Sequence, residues 1–178
     1  MENLINQIYQ DKEFISTIAD ILNNETVKEM KKYRQHCDTN CFEHCITASY
    51  LCYKICKKHN LDYKSCSRAA MIHDLFLYDW RKKSPNRKGL HAFTHPKTAY
   101  LNASKLFNLN EKEKDIILKH MWPVTLSLPK YKESFVLTFV DKKCALFETF
   151  NYMQSCFIHK KLFRYAYIFL TIIIFRLY

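Results

Sequence analysis

One glycine and four prolines in 178 residues exclude more folds than any motif in this chain selects. β-Sandwiches and barrels need frequent tight turns, and tight turns draw on glycine's access to positive φ. Phosphate-cradling loops are built from glycines as well. A chain with a single glycine has neither resource. Hydrophobic residues make up 48%, enough for a packed core and too many for a disordered chain. The expectation is an all-α protein, a single-domain helical bundle.

Apolar spacing supports this. Leu4, Ile5, Ile8, Ile15, Ile18, Ile21 and Leu22 recur at helical intervals, predicting one segment that ends at Asn23 and Asn24. A short charged helix is expected from Glu25 to about Arg34. Asp38 and Thr39 are the expected N-caps of the next helix, "CFEHCITASYLCYKICKKHN". Asp62 is placed to cap a helix that runs through "AAMIHDLFLYDW". Pro85 and Gly89 mark a long loop. Thr94 is the expected cap of "HPKTAYLNASKLF", with Pro96 in its first turn. Asn110 and Glu113 form a capping-box pattern ahead of "KDIILKHMW". Pro123 and Pro129 bracket a second loop, and a helix from about Tyr131 to Cys156 carries Asp141 in mid-course.

The formal charge of +11 favours anionic partners. The densest basic stretch, "RKKSPNRK" from Arg81 to Lys88, reads as a solvated loop or as a phosphate-attracting rim. Basic residues are spread along the chain and not interleaved with aromatics in one stripe, which argues against nucleic acid. Eight cysteines without a C-x-x-C pair, behind an N-terminus with no signal-type segment, suggest free thiols and a cytoplasmic setting. Cys37, Cys41 and Cys45 recur every four residues beside His36 and His44, and read as small apolar fillers before a metal cluster. The C-terminal "LFRYAYIFLTIIIFRLY" has an uncharged run over 165–175, short of the about 20 residues a membrane span needs. A last packed helix is the favoured reading. The β-branched "TIIIF" would also suit a strand-prone or poorly ordered end, and the preceding "HKK" a membrane-surface anchor. Stable membrane insertion is not expected.

His73 and Asp74 sit side by side in an apolar run. A buried carboxylate needs a cationic partner, a metal or a raised pKa. His44, His73, Asp74, His95, His120 and Asp141 follow in order on successive predicted helices, and packed helices bring such residues to one point in helical metal sites. Imidazole with carboxylate suits Mn, Fe or Zn better than Ca.

The ordered set His44, His73-Asp74, Asp141 resembles the H…HD…D signature of the HD-domain superfamily, all-helical metal-dependent phosphohydrolases. "FEHCITASYLCYKICKKHNLD" is similar to that family's first ligand helix and "AAMIHDLFLYDW" to its HD helix. "THPKTA" and "IILKHMWP" resemble the two histidine segments of two-metal members, and "FVLTFVDK" the final aspartate helix. The likeness covers roughly 34–150. It implies an HD-type domain over 34–156; the chain's own pattern adds an N-terminal helical segment over 1–33, expected to pack on the core, and an apolar helix or tail over 157–178. The likeness also implies that His44, His73, Asp74 and Asp141 hold one divalent ion (Mn, Fe, Zn, Ni or Mg). Asp74 would bridge to a second ion held by His95 and His120. His91 is a weaker candidate for that second ion, and His36 reads as a satisfied loop residue.

Many relatives carry a lysine or acidic residue a few positions after the HD pair. Here Leu75, Phe76, Leu77 and Tyr78 follow, leaving Asp79 to substitute, about 140° around a helix from Asp74. Lys119, Arg81 and Lys82 are the cations nearest in sequence for steadying a phosphate. The expected function is hydrolysis of a phosphate mono- or diester, with a nucleotide among the candidates. The partner would then be a phosphorylated small molecule. The alternative is a metal- or nucleotide-binding sensor with little or no turnover.

Overall fold

The computed structural model describes residues 2–37, 39–82 and 89–159. Over these residues the chain is helical and forms no sheet, with a lone bridge between Arg34 and Asn40. The elements are α1 Glu2–Gln10, α2 Lys12–Thr17, α3 Ala19–Leu22, α4 Glu25–Lys28, a 3₁₀ turn Glu29–Lys32, α5 Cys41–Lys58, α6 Tyr63–Ile72, α7 His91–Leu106, α8 Glu111–Lys119 and α9 Lys132–His159. The cap expected at Asp38, most of the basic stretch with Pro85, and the apolar tail from residue 160 lie outside the described residues.

The expected first segment is three helices, broken at Asp11 and Ile18. Asp11 accepts the Phe14 N–H at 3.1 Å, a cap that competes with helix continuation. The breaks let Ile8, Phe14, Ile18 and Ile21 all reach full burial in the same core as α5 and α6. Phe14 packs edge-on against Tyr50 with ring centroids 5.1 Å apart. The charged helix after it is shorter than expected, because α4 tightens into the 3₁₀ turn before Tyr33.

At the centre α5 packs along α6, and α9 crosses α5, α6 and α8. Small residues make the α5–α6 approach close: Ala48, Ser49, Cys52 and Cys56 face Cys66, Ala69 and Ala70, all fully buried. Ser49 donates its hydroxyl to the Ser67 carbonyl at 2.7 Å. Cysteine acts here as an apolar filler. All eight thiols are free, and no candidate metal group among the described residues includes one.

Three helix starts depart from or confirm the sequence reading. Asn40, not Thr39, caps α5, accepting the Glu43 N–H at 2.9 Å. Asp62 caps α6 as expected, through Ser65 N at 3.0 Å. The capping box of Asn110 and Glu113 opens α8. By contrast, α7 begins at His91 with no side-chain cap, and Thr94 lies in its first turn, donating to the Leu90 carbonyl at 3.2 Å. Pro96 therefore falls in the second turn. Tertiary contacts hold that early start: the His91 ring stacks between Trp80 and His95, at centroid distances of 5.5 and 4.5 Å.

The largest departure concerns the His-Asp pair. The helix expected to run through it ends at Ile72, with His73 as its C-cap. Asp74 accepts the Phe76 N–H at 2.8 Å, and Leu77 takes a positive φ of 54°, a conformation that costs a side-chain-bearing residue about 1–2 kcal/mol. Burial of Leu75 and Phe76, with the Leu75 carbonyl accepting from Asn102 Nδ2 at 2.8 Å, secures the turn. The 140° separation expected between Asp74 and Asp79 does not apply, because no helix joins them. Among the described residues, no helix is long and apolar enough to cross a membrane.

Candidate metal centre

Each of the six sequence-selected ligands sits near a helix end or faces one. His44 lies in the first turn of α5, His73 caps the end of α6 and Asp74 follows it. His95 is on the opening turns of α7, His120 caps the end of α8, and Asp141 is in mid-α9. All are buried. The negative ends of α6 and α8 therefore point at the cluster, a setting that favours a cation.

The rings are oriented by backbone carbonyls. His73 Nδ1 lies 2.7 Å from the Ala70 carbonyl, His95 Nδ1 2.8 Å from that of His91, and His120 Nδ1 2.8 Å from that of Ile117. A carbonyl accepts only, so each Nδ1 carries a proton, and Nε2 is the ring atom left facing inward to take a proton or an ion. Those nitrogens converge. His95 Nε2 and His120 Nε2 are 2.8 Å apart. Asp74 Oδ1 is 3.2 Å from His95 Nε2 and 3.7 Å from that of His120. His73 Nε2 is 3.5 Å from both Asp74 Oδ2 and Asp141 Oδ1. His44 Nε2 is 3.0 Å from Asp141 Oδ1.

Nε2 atoms 2.8 Å apart require something positive between them, a shared proton or a metal ion. His73 Nε2 and Asp74 Oδ1 are buried without a hydrogen-bond partner, an arrangement that is costly in a dry site. Two nitrogens each about 2.0–2.1 Å from one ion and at right angles stand about 2.9 Å apart, which matches the His95–His120 separation. One ligand atom each from His44, His73 and Asp141 falls within 4.8 Å of the others, as do those of His73, Asp74 and His120. The donor set of imidazoles and carboxylates suits a borderline divalent ion.

Electrostatics agrees. Burial works against ionising Asp74, but His73, His95 and His120 hold its carboxyl below the usual carboxylate range. Burial opposes Asp141 likewise, and His44 and His73 hold it well below. His120 is pushed down to about 3 by burial and by its neighbours His95 and His73, leaving a neutral ring ready to ligate. Burial also disfavours the charged forms of His44 and His73. Asp141 and Glu148 nonetheless raise His44, and Asp74 raises His73.

The cluster floors a cavity of about 300 Å³ whose wall includes Gln35, His36, Trp80, His91, Met121, Val124 and Lys142. Two residues selected for catalysis are elsewhere. Asp79 pairs with the Arg81 guanidinium at 3.0 Å and lines a separate cleft with Lys31, Lys32 and Arg34. Lys119 is held by Asp115 at 2.6 Å and is not part of the cavity wall. The cation that does reach the wall is Lys142, whose Nζ donates to the His120 and Thr138 carbonyls at 3.1 and 3.2 Å.

Sequence reasoning missed Gln35 and Glu148. Gln35 Nε2 donates to Asp74 Oδ2, and its signal is absent from the sequence because the segment before α5 has no period. Glu148 Oε1 accepts from His44 Nδ1 at 3.0 Å. Its spacing from Asp141, two turns along one helix face, was a usable signal. His36, read as a loop residue, lies against His44 with ring centroids 5.4 Å apart. No protein-family model matches the chain, and neither the curated proteins nor the solved structures contain a match.

Proposed function

We propose that this chain is a metal-dependent phosphohydrolase of the HD-domain type, acting on a phosphate mono- or diester of a small molecule, with nucleotides among the candidates. The observation that supports it is the sharing of His73 and Asp74. His73 faces Asp141 and His44 on one side and Asp74 on the other, and Asp74 turns its second oxygen to His95 and His120. A carboxylate placed between two donor groups is what a pair of ions needs as a bridge.

His44, His73, Asp74 and Asp141 would hold one divalent ion, and Asp74, His95 and His120 a second. The pair, when bound, supplies Lewis acidity and a water of lowered pKa. The chain's own residues do the rest. The Ala70, His91 and Ile117 carbonyls keep protons on Nδ1 and leave Nε2 to ligate. Gln35, on the cavity wall, orients Asp74 by donating to Oδ2. Lys142 holds a positive charge on the cavity wall, where a phosphate oxygen would gain from it. Trp80, backed by the His91 ring, offers aromatic surface on the cavity wall, suited to a planar substituent such as a nucleobase.

The sensor alternative draws on one observation, that neither Asp79 nor Lys119 lines the cavity. A single experiment separates the two readings. Purified protein is analysed for metal, then assayed for phosphate release from a nucleotide panel with added Mn²⁺. Hydrolysis is expected, falling about a thousand-fold or more in His73→Ala and Asp74→Ala. Release that survives both substitutions contradicts the proposal. Stoichiometric metal with no turnover on a broad panel assigns the pocket to sensing.

A further inference from the structure

Glu148 presents a problem that the six-residue cluster does not solve. Its side chain is 6% exposed. Oε1 is satisfied by His44 Nδ1 at 3.0 Å, yet Oε2 is buried with no hydrogen-bond partner. A buried carboxylate oxygen left without a partner is costly. Beside it stands the His36 ring, half-buried, on the wall of the cavity that the cluster floors, while Glu148 itself borders a neighbouring cavity with Thr47 and Cys144. One donor atom each from His36, His44 and Glu148 lies within 4.8 Å of the others.

We propose that His36 and Glu148 form a further divalent-cation site at the margin of the cavity, built from the orphaned Glu148 Oε2 and an imidazole nitrogen of His36. The site does not compete with the cluster below it. His44 turns Nε2 to Asp141 and Nδ1 to Glu148, and so stands between the two as a shared wall. The segment before α5 supplies His36, and α9 supplies Glu148 on the face that carries Asp141. Neither residue is a ligand in the hydrolytic reading, where Glu148 serves through Oε1 to orient His44. One imidazole and one carboxylate favour a borderline ion such as Zn²⁺, Mn²⁺ or Ni²⁺ over Ca²⁺. With few protein ligands, the site binds more weakly than the cluster. An ion there sets an additional positive charge beside the cavity, where an anionic ligand would meet it.

The test is equilibrium dialysis of the full chain against Mn²⁺ alone, followed by elemental analysis. The proteins compared are wild type, Asp74→Ala, His36→Ala, Glu148→Gln and the Asp74→Ala/His36→Ala pair. Glu148→Gln keeps shape and removes the ligand charge, and circular dichroism checks that each variant is folded. His36→Ala and Glu148→Gln are each expected to bind one equivalent fewer than wild type. Asp74→Ala keeps that equivalent, and the double variant loses it. Wild-type stoichiometry in His36→Ala overturns this site and leaves the six-residue cluster standing. Complete loss of metal in Asp74→Ala also overturns it. A wild type that binds no Mn²⁺ overturns this site and the metal reading of the cluster together.

Discussion

Gln35 shows how much of the site depends on residues that do not ligate. Its Nε2 donates to Asp74 Oδ2, while Cys41 Sγ donates to the Asp74 backbone carbonyl at 3.3 Å. Asp74 is thereby gripped at two points from the start of α5 and its approach. Partners of this kind fix the angle at which a ligand oxygen meets an ion, and removing them typically weakens metal binding 10–100-fold. Gln35→Ala is therefore expected to lower the cluster's affinity for Mn²⁺ by about 10–100-fold, read by isothermal titration, with the fold retained. An unchanged affinity would mean that Asp74 is held by its backbone alone. The same scale explains why the metal candidates were legible and their supports were not. Histidines and aspartates in apolar surroundings are conspicuous because burying them is costly. A glutamine or a cysteine next to a turn carries no such signature.

At the scale of elements, helix ends carry the architecture. Capping follows from side chains close in sequence, and for that reason Asp62, Asn110 and Glu113 were readable. Where the end is set by distant contacts, the sequence was mute. The stop of α6 at Ile72 depends on Asn102 catching the Leu75 carbonyl from another helix. The early start of α7 depends on the stack of His91 with Trp80. Asp115 is a further case. It accepts from the Lys130 N–H at 2.9 Å and the Ser134 hydroxyl at 2.7 Å, and pairs with Lys119 at 2.6 Å, tying the connection after α8 to the start of α9. Burial works against its ionisation, but Lys119, Ser134 and the Lys130 N–H hold its pKa below the usual value. The stability this confers is present in full above the unfolded value of about 4, and is lost as pH falls through the folded value. Asp115→Asn is expected to cost about 1–3 kcal/mol at neutral pH, with a flatter loss of stability on acidification than wild type. Urea denaturation at pH 7 and at pH 3 measures both. Parallel acid profiles would contradict the role assigned to Asp115.

Across the whole molecule, the decisive feature is convergence. The all-α class was legible from one glycine and the apolar period, and the order of candidate ligands was legible too. Their meeting point was not, since it depends on the close α5–α6 approach and on the crossing of α9, which small residues such as Ala48 and Ala69 permit without announcing it. The N-terminal helices contribute to that geometry by closing the core on one side with Ile8, Phe14, Ile18 and Ile21. Five separate segments then deliver four imidazoles and two carboxylates to one buried locus, with two Nε2 atoms 2.8 Å apart. Crystals grown with Mn²⁺ and measured at a wavelength giving anomalous signal from it test this directly. Anomalous peaks are expected about 2.0–2.3 Å from the Nε2 atoms of His44, His73, His95 and His120 and from the oxygens of Asp74 and Asp141. A well-phased map with no peak among those side chains would contradict the metal reading.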